Sequence, residues 1–189
     1  MSARADLTVV ILAGGEGRRI GGGKPLRLLG GRTLLGRAIE RARGWTDEVA
    51  VAARFAEQVG EPGIAVLPDP PGLEGPLGGL GSALGLARPA VLTIPCDMPF
   101  LPDDLPTRLA AALPGHGAAL AASGGHVHPV CGLWRTEALA RLRRYAASGR
   151  RSLIGFAETI GYAAVAWPGD PFFNVNSPED LAEAEARLT

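Results

Sequence analysis

The apolar run Leu7-Thr8-Val9-Val10-Ile11-Leu12 breaks into Ala13-Gly14-Gly15-Glu16-Gly17-Arg18-Arg19-Ile20-Gly21-Gly22-Gly23-Lys24, and the chemistry of the chain starts at that break. Glycines let a backbone take positive φ and approach an anion closely, so successive N–H groups can converge on phosphate oxygens. Arg18, Arg19 and Lys24 add full positive charge to the same stretch. Five glycines within residues 15–23, together with these cations, favour phosphate binding over a plain surface turn. The pattern is neither of two familiar phosphate loops. Ile20 stands where the third glycine of G-x-G-x-x-G belongs, Arg18 where a P-loop has its first glycine, and Pro25 where that loop has Ser or Thr.

Three further groups have suitable residue types. Asp97, in Pro95-Cys96-Asp97-Met98-Pro99, follows the apolar run Val91-Leu92-Thr93-Ile94. A carboxylate at a strand's carboxyl end suits Mg²⁺ bound to nucleotide phosphates, and this role is favoured over that of a turn or helix-capping Asp because the phosphate loop calls for a counter-cation. The stretch from Pro68 to Gly81 combines stiff prolines with permissive glycines, and Asp69 can present a carboxylate to the edge of a base. Asn174 and Asn176, spaced i, i+2 ahead of a helix start, project to one side of an extended segment and can hydrogen-bond a polar ligand or simply cap the helix. A zinc site assembled from His126, His128, Cys96 and Cys131 lacks any C-x₂-C unit, and no G-x-S-x-G elbow is present.

The elements that must position these groups alternate. Strands are expected over Leu7–Leu12, Glu48–Ala53, Ile64–Leu67 and Ala90–Ile94, each apolar without alternation, as in parallel strands covered on both faces. Helical stripes fall over Thr33–Arg43, Leu77–Ala87 and Asp103–Leu113. An open α/β sheet with right-handed crossovers follows, and its ligands bind at the carboxyl ends of the strands near the reversal of strand order. Beyond residue 114, Ala118–Ser123 and Val127–Trp134 flank Gly124-Gly125 as a hairpin expected to add antiparallel strands at one edge. Helices from Thr136 to about Ala147 and over Ser152–Glu158 come next, then a strand at Tyr162–Trp167. The last helix starts at Ser177, with Pro178 in its first turn and Glu179 and Asp180 complementing its dipole.

The bulk composition narrows the classes. The 189 residues, 47% of them hydrophobic, suit one domain spanning 1–189. Formal net charge is zero, which suggests neither a nucleic-acid nor an acidic-lipid surface. No run approaches the roughly 18 apolar residues of a membrane span, and no apolar leader follows the basic N-terminal residues. A cytoplasmic protein with two reduced cysteines is expected.

Leu12-Ala13-Gly14-Gly15, Arg19-Ile20-Gly21, Lys24, Gly75-Pro76-Leu77, Pro95-Cys96-Asp97-Met98-Pro99, His128-Pro129 and Phe173-Asn174-Val175-Asn176-Ser177-Pro178-Glu179-Asp180-Leu181, in order over nearly the whole chain, resemble the molybdenum cofactor guanylyltransferases. The resemblance implies a single-domain nucleotidyltransferase with a Rossmann-like, mostly parallel sheet and helices on both faces. It implies transfer of GMP from Mg²⁺-bound GTP to the terminal phosphate of molybdopterin, releasing pyrophosphate. By position it assigns GTP contacts to Leu12, Ala13, Gly14, Gly15, Lys24, Asp69, Gly75 and Asp97, and the metal to Asp97. Arg19, Lys24 and Asp97 would be catalytic, with Asn174 and Asn176 on the molybdopterin side. GTP, molybdopterin and Mg²⁺ are then the small-molecule partners, with room for transient contact with other cofactor maturation proteins. Two departures stand out: Gly23 replaces the Asp that usually precedes the loop lysine, and alanine (Ala52, Ala53) replaces an Asn after the second strand. A related transferase using CTP or a phosphosugar, or a GTP-binding module without transfer activity, are the alternative readings.

Overall fold

The computed structural model describes residues 7–13, 23–53, 59–60 and 63–188. Seven strands form one sheet: β1 (Thr8–Leu12), β4 (Glu48–Ala52), β5 (Ala65–Leu67), β6 (Ala90–Pro95), β7 (Ala118–Ser123), β8 (His126–Arg135) and β9 (Tyr162–Trp167). Their spatial order is β5-β4-β1-β6-β8-β7-β9. The chain steps outward from β1 to β4 and β5, then returns to the other side of β1 as β6, so strand order reverses between β1 and β6. At that reversal Leu12 pairs in register with Ala52 on one side and Pro95 on the other.

The expected hairpin is present, with Gly124 and Gly125 both at positive φ, as a two-residue turn between twisted strands requires. It lies inside the sheet. β8 runs antiparallel to β6 and β7, while β7 pairs in parallel with β9, so β8 alone carries the antiparallel pairing of the main sheet. The β7–β8 register jumps from Leu120↔Gly132 to Ala121↔His128. The skipped residues include Pro129, which has no N–H for the ladder.

Helices cover both faces because successive strand residues point oppositely. Val9, Ile11, Val51, Leu92 and Ile94 pack with Leu35 and Ile39 of α1 (Leu34–Trp45) and with Leu105 and Leu109 of α3 (Leu105–Ala112). Val10, Ala52 and Val91 pack on the other face with Leu77 and Leu80 of α2 (Pro76–Leu84), Leu142 of α4 (Leu139–Ala147) and Phe156 of α5 (Leu153–Ile160). A short hairpin, β2 (Leu28–Leu29) and β3 (Arg32–Thr33), turns at Gly30-Gly31. With α6 (Pro178–Leu188) it encloses a smaller cluster of Leu29, Leu34, Val175 and Ala184. No described helix is long and apolar enough to cross a membrane.

Candidate active site at the carboxyl ends of β1 and β6

Lys24 opens a 3-10 turn over Lys24–Leu26, entered through Gly23 at φ 59, a left-handed conformation that glycine adopts freely. Glycine here stands where the family resemblance has Asp, a residue that also tolerates this conformation. The turn drives Lys24 inward, and its side chain is only 10% exposed. A lysine so buried needs partners, and two lie among the described residues. Its ammonium forms an ion pair with Asp97 Oδ2, and its Nζ donates to Asn176 Oδ1 at 2.6 Å.

Asp97 reaches this point because β6 ends beside β1, where Cys96 N donates to Leu12 O at 3.3 Å. Its carboxylate is 17% exposed. Oδ2 is taken by Lys24, while Oδ1 is buried without a hydrogen-bond partner among the described residues. Asn174 Oδ1 is in the same condition. Buried oxygens are normally satisfied. Two unsatisfied hard oxygen donors on adjoining segments are suited to a cation or a donor-bearing ligand.

The asparagine segment is tied down from both sides. Val175 N donates to Asp97 O at 2.9 Å. Phe172 is buried, 4.9 Å from the His128 ring in a stacked pair and 5.5 Å edge-on to Trp167. His128 in turn meets Ser123 Oγ through Nε2 at 2.9 Å. Burial holds its imidazole below the usual value, Asp170 acts in the opposite sense, and His126 lowers it further.

The wall beyond Leu12 is built by α2. Gly75, at φ 58 and ψ −137, makes the turn into the helix in a region closed to residues with a Cβ, and Pro76 follows in the first turn. A Cβ on Gly78 would stand 2.6 Å from Asp69 Cγ, so the Asp69 carboxyl lies directly on the glycine backbone. A Cβ on Gly79 would stand 3.0 Å from Leu12 Cδ2. Ser82 Oγ ties the helix to its preceding loop by donating to Pro68 O at 2.8 Å.

Of the residues expected from sequence, Lys24, Asp97 and Asn176 are thus in direct contact, Asn174 adjoins them, and Leu12, Ala13, Asp69 and Gly75 line the same end of the sheet. Gly14, Gly15 and Arg19 lie outside the described residues. Ala52 and Ala53 are buried, with Ala52 O accepting from Ala13 N at 2.9 Å, so this position offers backbone where the family resemblance has an amide. The four residues of the zinc alternative have other surroundings. Cys131 Sγ lies 3.6 Å from Met98 Sδ, and among the described residues no three His, Cys, Asp or Glu side chains form a metal-holding group.

Residues 9–160 match the family described as the MobA-like NTP transferase domain. The molybdenum cofactor guanylyltransferase of Bradyrhizobium sp. (strain ORS 278) is 43% identical over 195 residues, covering 93% of this chain and 90% of that protein. The chain belongs to the molybdenum cofactor guanylyltransferase family. A second relative of that name, from Cereibacter sphaeroides (strain ATCC 17029 / ATH 2.4.9), is 44% identical over 190 residues and 95% of each chain. The fold is shared with the crystal structure of molybdopterin-guanine dinucleotide biosynthesis protein A from Archaeoglobus fulgidus, at a TM-score of 0.80 and 23% identity over 96% of this chain and 98% of that one. As a member of this family the protein is an enzyme, a nucleotidyltransferase of molybdenum cofactor biosynthesis. Gly78 and Gly79 admit Asp69 and Leu12 to close approach, a packing role that sequence reasoning did not assign within the Pro68–Gly81 stretch. Their signal was the Gly78-Gly79 pair inside a helical stretch, where glycine costs about 1 kcal/mol each unless close approach requires it.

Proposed function

We propose that the protein transfers GMP from Mg²⁺-bound GTP to the terminal phosphate of molybdopterin, with its reacting centre at Lys24, Asp97 and Asn176. The observation that carries this reading is a buried ammonium held between a carboxylate and an amide oxygen at the reversal of strand order. Family membership supports the donor and acceptor.

The acceptor is already a nucleophile, because a phosphate monoester with second pKa near 6 is largely dianionic at pH 7. Its oxygen bonds to the α-phosphorus of GTP as the bond to the β-phosphate oxygen breaks, and pyrophosphate leaves with the electron pair. No general base is needed. The obstacle is repulsion between two anions, so the protein must neutralise charge and align donor with acceptor. Lys24 supplies positive charge, and Arg19 adds more by position in the glycine-rich loop. Asp97 would hold the metal, for which its unsatisfied Oδ1 is a fitting ligand, and the ion when bound offsets triphosphate charge. Asp69 and the Gly75 backbone would meet the nucleotide, and Asn174 and Asn176 the molybdopterin phosphate.

Incubation with molybdopterin, Mg²⁺ and either GTP or CTP tests this directly. Molybdopterin guanine dinucleotide and pyrophosphate are expected in equal amounts with GTP. Product from CTP alone, or GTP binding without pyrophosphate release, overturns the reading.

A further inference from the structure

Helix α6 opens with Ser177-Pro178-Glu179-Asp180, and its capping reaches beyond the helix. Ser177 Oγ accepts from Asp180 N at 3.1 Å. In return Asp180 Oδ2 accepts from Ser177 N at 2.9 Å and also from Asn176 N at 2.7 Å. A capping box requires only the first of these two bonds. The second fixes the backbone of the residue whose side chain receives the Lys24 ammonium. Three consecutive N–H groups are therefore committed: Val175 to the carbonyl of Asp97, Asn176 and Ser177 to the carboxylate of Asp180. Asn176 is itself exposed, so packing does little to set its conformation.

We propose that Asp180 is a positioning residue for nucleotidyl transfer, holding Asn176 so that its Oδ1 keeps Lys24 beside Asp97. The proposal rests on the role given above to Lys24 and Asp97. Asp180 acts through charge-assisted bonds to two backbone amides, the stronger kind of hydrogen bond. Its loss frees Asn176 to swing about an exposed turn, and a displacement of about 1 Å at a reacting centre can lower rates by about 10².

The test compares Asp180→Ala, Asp180→Asn and Ser177→Ala. Ser177→Ala breaks the other half of the capping box and leaves both Asp180 bonds in place, so it reports the cost of a weakened helix start alone. Steady-state GMP transfer is measured beside Tm, and the side-chain amide resonances of Asn176 are followed in ¹⁵N-labelled protein without nucleotide. Asp180→Ala is expected to lower kcat/KM about tenfold or more and to shift the Asn176 amide resonances. Asp180→Asn, whose amide oxygen can accept the same two bonds, recovers most of the activity. Ser177→Ala, at comparable loss of Tm, stays within about twofold of the starting protein. Equal losses in Asp180→Ala and Ser177→Ala, or unmoved Asn176 amide resonances in Asp180→Ala, overturn the proposal. Absence of product from the unsubstituted protein overturns the assigned reaction instead, and the amide resonances still decide whether Asp180 positions Asn176.

Discussion

Lys24 Nζ donates to Asn176 Oδ1 at 2.6 Å, joining residues 152 positions apart in the chain. The same ammonium pairs with Asp97, so three segments meet at one cation: the turn after the glycine-rich loop, the end of β6 and the approach to α6. A low-polarity setting strengthens the attraction, and removing one partner leaves the others uncompensated.

Asp97→Ala is expected to lower turnover by about 10² or more, the scale of losing a key electrostatic group. Steady-state assays at saturating Mg²⁺ measure it. Turnover close to that of the unsubstituted enzyme would remove Asp97 from the reacting centre.

Gly78→Ala separates stability from binding. Alanine gains up to about 1 kcal/mol in helix propensity, but its Cβ would stand within 2.6–2.8 Å of the Asp69 carboxyl atoms and displace them. GTP affinity by titration calorimetry is expected to fall about tenfold, the scale of one hydrogen bond to a charged group, with Tm little changed. Unchanged affinity would show that Asp69 makes no nucleotide contact.

His128 predicts a pH dependence of stability. Its folded-state pKa lies below the ordinary 6.5, chiefly through burial. The unfolded chain therefore binds more protons as pH falls from 6.5 towards the folded value. The full stability is present above 6.5 and is lost as pH drops through that window. In urea titrations between about pH 7.5 and about pH 5, His128→Gln should show a shallower decline. Parallel curves would assign the decline to other groups.

Thiol labelling offers a fourth check. Burial, with the Asp97 charge adding to it and Lys24 opposing, pushes the Cys96 thiol up to about 12. Burial and Asp97 likewise raise Cys131. Neither presents a thiolate, the reactive form, at about pH 8. Iodoacetamide should modify no cysteine in the folded protein and both after unfolding, read by mass spectrometry.

Much of the architecture was legible before any coordinates. The apolar runs Leu7–Leu12 and Ala90–Ile94 read as strands covered on both faces and stand in the sheet as Thr8–Leu12 and Ala90–Pro95, and Gly124-Gly125 marked the hairpin through its need for positive φ. One local feature passed unread, and the expected edge position of the hairpin was overturned. The β2–β3 turn at Gly30-Gly31 joins strands of two residues each, too short for any periodicity. The place of the hairpin inside the sheet depends on pairing with β6 and β9, and no local pattern encodes it.

For the site the division is similar. Residue types and motif order were sufficient to nominate Lys24, Asp69, Asp97, Asn174 and Asn176, because phosphate chemistry needs cations, carboxylates and permissive backbone in loops after strands. Only the tertiary structure decided that Lys24 lies between Asp97 and Asn176, that Gly78 exists to admit Asp69, and that Asp180 fastens Asn176. Composition and spacing act along the chain, whereas these contacts join residues that are brought together only when the sheet closes β6 against β1 and the segment leading into α6 returns to Asp97 just past the end of β6.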